Sequence, residues 1–347
     1  MDSAVPDILF ERRGAAGVIT LNRPKALNAV THKMVRALAR QLDLWASDGA
    51  VTRVVITAAG EKAFSAGGDI RALYELGKAG RQEEALTFFR EEYTLNTAIK
   101  HYSKPYVALI DGIVMGGGFG VSVHGSHRVA GDRFQFAMPE VGIGFFPDVG
   151  GTYVLPRMPD EIGTWCAVTG DRLKTADAVA TGIATHHVKS ERFADLTDAL
   201  CGNVSVDATL AAFAEPAGEG PVTARRTAIA RLFAKDRIED ILAALDAEDE
   251  WAIATAKGMR AKSPTSLKLA LAQVRRGAGW TFEQCMQAEM RIVTRVVYGN
   301  DFYEGVRAVI VDKDNAPRWQ PASLAEVSEG EVERYFAPLG EQELRLP

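Results

Sequence analysis

Glu140 and Asp148, each directly after a proline, are the two side chains of this sequence best suited to joint chemistry. They stand eight positions apart across Gly142, Gly144 and Pro147. That composition breaks a regular helix, so a turn between them could aim both carboxylates at one spot. Upstream, an apolar run ends in Gly116-Gly117-Gly118. Consecutive glycines give up side-chain packing, and each costs roughly 0.5–1 kcal/mol inside an element. Such a run marks backbone that must approach something closely. Backbone N–H donors beside converging carboxylates suit reactions at a carbonyl, where negative charge develops on oxygen.

A second glycine pair stands in Glu61-Lys-Ala-Phe-Ser-Ala66-Gly67-Gly68-Asp69-Ile70, between an apolar strand and a helix expected near Asp69. Together the two glycine segments resemble the crotonase (enoyl-CoA hydratase/isomerase) superfamily. The resemblance implies an oxyanion hole for a coenzyme A thioester, built from the backbone N–H groups of Gly68 and Gly117, with Ala66 and Gly67 beside the substrate. It also implies an α/β fold, a crotonase-like spiral of ββα repeats with a C-terminal helical region. Residues 1–200 are expected to hold the core and the active site, and 201–347 to form the helical cover.

Within that family the acids decide the reaction. Its hydratases use two glutamates, one just after the triple glycine and one in a Pro-Glu pair. The second is present as Glu140, but the position matching the first is Gly120, and an acid appears instead at Asp148. This substitution resembles the branch that hydrolyses 3-hydroxyisobutyryl-CoA in valine breakdown. The likeness extends through Phe89-Arg-Glu-Glu-Tyr93, Ser122-Val-His-Gly125, Ser263–Lys268 and Asp301–Asp314. It implies a thioesterase in which Glu140 is the base for water or the nucleophile through a mixed anhydride, two roles the sequence leaves open. Asp148 would orient water or substrate and manage the proton. Glu92 would bind the acyl hydroxyl, and Arg23 and Lys25 would serve the coenzyme A phosphates. No cofactor is expected beyond the coenzyme A of the substrate, and a homo-oligomer is an open expectation.

A structural role is open to each of these residues. Asp148 could cap a helix beginning near Gly150, Glu140 could be a first-turn acid favoured by the helix dipole, and the triple glycine could serve tight packing. Glu92 could be an exposed helix acid, and Arg23 and Lys25 ordinary surface charges. His124 and His127 lie close together without an HExxH motif or an obvious third ligand, so they are read as structural and no metal is expected. Two other functions remain beside hydrolysis: hydration or isomerisation of an enoyl-CoA, and coenzyme A binding without catalysis. GxGxxG in the required place and GxxxxGK[ST] are absent, and the Gly120-Val-Ser-Val-His124 stretch lacks the last glycine of a nucleophile elbow.

Composition sets the wider bounds. The chain has 347 residues, 47% of them hydrophobic, and a formal net charge of −5. That length buries a large core, and the acidic balance argues against nucleic acid as the main partner. No apolar run reaches the roughly eighteen residues of a membrane span. The start, MDSAVPDILFERR, carries three acids and no long apolar segment, unlike a signal peptide. Cys166, Cys201 and Cys285 are widely spaced and odd in number, which fits neither a disulfide framework nor a CxxC metal motif. A cytoplasmic location is the expectation.

The positioning elements follow from periodicity. Ile8–Arg12 and Gly17–Leu21 read as strands around a turn. A helix over 31–46 would carry Met34, Leu38 and Leu42 on one face. Val54–Thr57, Tyr106–Ile110, His127–Ala130 and Gln135–Ala137 read as further strands. Helices are expected over 69–78, 82–100, 116–124, 239–256 and 263–276, with Ser263-Pro264 as cap and first-turn proline. After about Val188 strand signals cease, and Glu219–Thr223 reads as the linker.

Overall fold

The computed structural model describes residues 6–346. The opening stretch read above as unlike a signal peptide therefore lies partly outside the described residues. Two compact units interleave along the chain. The first holds the chain up to Gly68, Thr94–Phe136 and Leu173–Ala224; the second holds Asp69–Tyr93, Ala137–Arg172 and the chain from Arg225. The expected division was a single cut at residue 200. The linker expected at Glu219–Thr223 does fall beside the last crossing, between Ala224 and Arg225.

Among the described residues the first unit is built on ten strands, the last residue of β8 excepted: β1 Ile8–Arg13, β2 Ala16–Leu21, β3 Arg53–Ala58, β4 Ala63–Ser65, β5 Tyr106–Ile110, β6 Ile113–Met115, β7 His127–Ala130, β8 Gln135–Ala137, β9 Leu173–Lys174 and β10 His186–His187. They form a six-stranded sheet in the order β1-β2-β3-β5-β7-β10 and a four-stranded sheet in the order β4-β6-β8-β9. After the antiparallel β1–β2 hairpin, the large sheet is parallel throughout. Successive strand pairs β3–β4, β5–β6 and β7–β8 each send one strand to each sheet, which is the ββα spiral expected from the sequence.

Parallel strands are covered on both faces and so read as unbroken β-branched runs; Val54, Val55 and Ile56 are wholly buried. One face packs Val55, Val107, Leu109 and Val129 under Leu196, Leu200, Val206 and Leu210 from two short helices. Each fully buried aliphatic side chain of this kind contributes about 1.5–3 kcal/mol. The helix His32–Ser47 begins where the Thr31 hydroxyl accepts from the Met34 N–H, and it buries Met34, Leu38, Leu42 and Trp45 at helical spacing.

The helix Gln82–Lys100 carries the chain from the second unit to the first, changing over after Tyr93. In the second unit, Pro264–Gly277 starts at the predicted cap: Ser263 accepts from the Ser266 N–H, with proline at the first position. Two expected helices differ. The one expected over 116–124 is a single turn, Gly116–Gly120, and the chain continues as turns. There the Ser122 hydroxyl donates to the Gly118 carbonyl at 2.7 Å, a local bond that competes with the helical ladder. The one expected over 239–256 is split into Ile238–Asp246 and Glu250–Arg260, because Asp249 caps the second by accepting from Ala252.

Candidate active site

In the first unit, β4 and β6 run parallel as neighbours, so the glycine segments that follow them leave the small sheet side by side. Gly67 has φ +118°, a conformation that side chains avoid. A Cβ there would stand 3.6 Å from the Met115 carbonyl and 3.9 Å from the Gly117 nitrogen, so the two glycine sites do meet. Gly117 is the second residue of its helix, in the first turn, whose N–H groups have no acceptor within the helix. Its neighbour Gly118 serves packing: a Cβ there would lie 2.6 Å from the Ser65 carbonyl oxygen. Close packing thus falls on Gly118, and the first-turn N–H without a helical acceptor on Gly117.

The Arg23–Lys25 segment belongs to the same neighbourhood. Val30 N–H donates to the Gly67 carbonyl at 2.8 Å and Ala66 N–H to the Leu27 carbonyl at 2.9 Å. The Arg23 guanidinium donates to the Ala29 carbonyl at 2.8 Å, so part of its hydrogen-bonding capacity serves this loop. Lys25 is exposed.

The acids gather in the second unit. Glu140 opens a short 3-10 turn, Glu140–Ile143, and is 7% exposed; Asp148 is 5% exposed and Glu92 2%. Phe145 fixes the loop between the two acids by stacking on Phe89 and Phe146, with Phe302 tilted against it. Asp148 accepts a 2.8 Å hydrogen bond from the buried Tyr93 hydroxyl. Burial raises the Asp148 carboxyl to about 7 against the pull of that bond. Burial, then the Asp148 charge, holds Glu140 well above the carboxylate range. Glu92 is raised by burial, Asp148 and Glu289 in that order. One oxygen of Glu92 and one of Glu140 are buried without a hydrogen-bond partner. Buried polar atoms are seldom left so, and both are free to meet a ligand.

Two of the structural alternatives fall here. Glu92 is not an exposed helix acid but a buried one. Asp148 does not cap the following helix, Gly151–Val154, which has no side-chain cap from its own N-cap residue. The Gly150 and Thr152 N–H groups instead each donate to Glu289 at 2.9 Å. Glu289 is fully buried, and sequence reasoning missed it, as it missed Tyr93. A signal was present: Glu289 interrupts the apolar stripe of Cys285, Met286, Ile292 and Val293 at helical spacing, all buried, and a lone carboxylate at a core position needs a reason.

His127 binds Asp207 at 2.9 Å and the Ser126 hydroxyl at 2.8 Å. Among the described residues no three His, Cys, Asp or Glu side chains are arranged to hold a metal ion, and no helix is long and apolar enough to cross a membrane.

Paired strands alternating between two sheets, abutting glycine donors and a buried acid pair are a crotonase arrangement. The enoyl-CoA hydratase/isomerase family pattern matches residues 16–336, and this chain belongs to that family. Among characterised proteins it is similar to the mitochondrial 3-hydroxyisobutyryl-CoA hydrolase of Danio rerio, 48% identical over 98% of this chain and 92% of that protein. The Homo sapiens protein of the same name is 43% identical over 99% and 92%. Among solved structures, a carnitinyl-CoA dehydratase from Mycobacterium thermoresistibile superposes with a TM-score of 0.94 at 43% identity, covering 98% of this chain and 99% of that one. An enoyl-CoA hydratase from Rhodobacter sphaeroides 2.4.1 gives 0.93 at 40%, covering 98% and 100%.

These relatives correct one expectation. The hydrolases are named as mitochondrial, which overturns the cytoplasmic location expected above. The reason is physical: three cysteines outside any disulfide speak for a reducing environment, and reducing environments are not confined to the cytoplasm.

Proposed function

We propose that this protein hydrolyses 3-hydroxyisobutyryl-CoA to 3-hydroxyisobutyrate and coenzyme A, a step of valine breakdown. The observation that carries the reading is the acid set: Glu140 and Asp148 are both buried, while Gly120 stands where the family's hydratases place their first glutamate. The hydrolase names borne by relatives at 43–48% identity support it.

The chemistry follows from the residues. The Gly68 and Gly117 N–H groups bind the thioester oxygen as it becomes an oxyanion, a contribution of about 2.7–4 kcal/mol per donor. Glu140 either takes a proton from the attacking water or attacks the carbonyl itself to form a mixed anhydride that water then opens. In either route a C–O bond forms, the C–S bond breaks, and a proton must reach the departing sulfur. Asp148, raised by burial to about 7 and so partly protonated at neutral pH, is suited to hold that proton, with Tyr93 fixing its orientation. Glu92, its carboxyl raised by burial, can meet the acyl hydroxyl as donor when protonated and as acceptor otherwise. Lys25 is the better placed of the two cations to meet coenzyme A phosphates, because it is exposed and Arg23 is engaged in its own loop. No cofactor is required beyond the coenzyme A that the substrate brings.

The names of the two solved relatives favour a second reading, hydration of an enoyl-CoA. Thiol release and crotonyl-CoA hydration, measured on the same preparation, separate the two. The purified protein is expected to release thiol from 3-hydroxyisobutyryl-CoA and to hydrate crotonyl-CoA at background rate, since Gly120 offers no second carboxylate to aim water at Cβ. Efficient hydration without thiol release would overturn the proposal. Coenzyme A binding with neither reaction would leave a non-catalytic protein.

The donor role has its own test. Gly117→Val should lower kcat/KM by roughly 10²-fold or more by crowding the thioester oxygen away from one donor. Gly118→Ala is the control for packing: its Cβ meets the Ser65 backbone, so it should lower the melting temperature. Normal kinetics in a folded Gly117→Val protein would reduce the triplet to packing alone.

A further inference from the structure

We infer that Glu289 is a positioning residue for the hydrolysis: its carboxyl oxygens clamp the strained turn that carries Asp148. The inference rests on the hydrolase reading above. The turn has two successive residues with positive φ, Val149 at +50° and Gly150 at +89°. For a β-branched residue the left-handed region is an outlier, of order 1–3 kcal/mol, and it persists only where surroundings over-determine it. Such a backbone turns neighbouring N–H groups into a concave anion-binding nest. The Gly150 and Thr152 N–H groups fill that role, each donating to one oxygen of Glu289 at 2.9 Å.

Two further side chains hold the same turn. Gln273 donates to the Pro147 carbonyl and, at 3.0 Å, to the Thr152 hydroxyl. Tyr93 donates to Asp148 itself. Strain at Val149 is thus balanced on both sides of Asp148, and Glu289 supplies two of the bonds.

A cap alone does not explain the choice of residue. Serine, threonine and asparagine satisfy orphan N–H groups without a full charge, whereas a buried carboxylate among other acids is costly. The groups facing Glu289 are Asp148 on the turn, Glu92 and Tyr93 on the helix Gln82–Lys100, and Cys285 on its own helix. None is cationic. Glu289 is accordingly raised to about 8, first by burial and then by Asp148. Asp148 therefore ionises first, and its charge helps to hold the proton on Glu289, so what Glu289 gives Asp148 is the position of its turn.

The test compares wild type, Glu289→Gln and Glu289→Asp on 3-hydroxyisobutyryl-CoA, reading kcat, KM, the pH profile and melting temperature. Glutamine offers one acceptor oxygen for two N–H donors and no charge. For Glu289→Gln, kcat should fall about 10-fold or more with KM within about twofold, and the alkaline limb of kcat should stay near that of wild type, because Glu289 is still protonated where Asp148 ionises. Glu289→Asp keeps the carboxyl group but falls short of the turn, so kcat should drop while the alkaline limb stays. A folded Glu289→Gln protein with wild-type kcat, altered only in melting temperature, reduces Glu289 to a cap and overturns the inference. Should Glu289→Gln not fold, the Asp variant decides: wild-type kcat overturns the inference, and a kcat loss at unchanged KM supports it. Wild-type protein that releases no thiol sinks the hydrolase reading instead. The infrared frequency of the protonated carboxyl band lost in Asp148→Asn then tests the link itself, because it reports the hydrogen bonding and placement of Asp148: an unmoved frequency in either Glu289 variant that folds sinks the clamp, and a displaced one keeps it.

Discussion

Glu140→Gln is expected to lower kcat by roughly 10²–10⁴-fold, the usual reach of a positioned acid–base group. Glutamine preserves shape and one acceptor oxygen, so the short turn Glu140–Ile143, held by the Phe145 N–H donating to the Glu140 carbonyl at 3.0 Å, should survive. What disappears is the basic or nucleophilic oxygen, and one oxygen of this carboxyl is buried without a partner. Burial first, then the Asp148 charge, raises the Glu140 carboxyl well above its ordinary range. The working form is the carboxylate, so kcat/KM should rise with pH through that raised value. The elevation also makes the carboxylate a stronger base toward water. KM should change little, because glutamine keeps the size and one acceptor oxygen of the side chain. A single-turnover measurement of thiol release decides it: a folded variant keeping more than about half the wild-type rate would remove Glu140 from the chemistry. The double variant with Asp148→Asn should be little slower than Glu140→Gln alone, since groups acting as one unit are strongly non-additive.

Much of this architecture can be read from local sequence. The helix over Met34, Leu38 and Leu42, the buried strands around Val55 and Val107, and the Ser263-Pro264 start each rest on periodicity or capping within one segment, and the structure has them at or within a residue or two of the expected places. The small sheet was less legible. Its β4, β6 and β9 are two or three residues long, too short to carry a period, and they exist because neighbouring strands supply their hydrogen bonds. The interleaving of the two units could not be seen at all, since it rests on contacts between distant parts of the chain. At the site, family likeness led to Glu140, Asp148 and Glu92, but it did not reveal that Tyr93 orients Asp148. Nor did proximity in sequence identify the cap of the Gly151 helix: Asp148 lies three residues away, yet Glu289 supplies it from 141 positions on from Asp148.

Asp148→Asn separates chemistry from stability most sharply, because the two are expected to move in opposite directions. Activity should fall by about 10²-fold or more in kcat, within the range for a lost acid–base group, with coenzyme A binding nearly intact. Stability follows from proton linkage. The folded Asp148 carboxyl is raised from an ordinary 3.8 to about 7, chiefly by burial. Below the unfolded value both states are protonated and nothing is lost. As pH rises toward 7 the unfolded chain releases the proton first, so the folded state loses relative stability across roughly pH 4–7, by about 4 kcal/mol at the upper limit. Asparagine removes that penalty and can still accept from the Tyr93 hydroxyl. The variant should therefore melt near or below wild type at pH 5 and several degrees above it at pH 8, at about 2–4 °C per kcal/mol. A helix cap would behave otherwise, with about 1 kcal/mol lost at both pH values and almost no change in rate. Melting curves at the two pH values beside single-turnover rates make the comparison, and a variant that is destabilised at pH 8 yet fully active would sink the role given to Asp148.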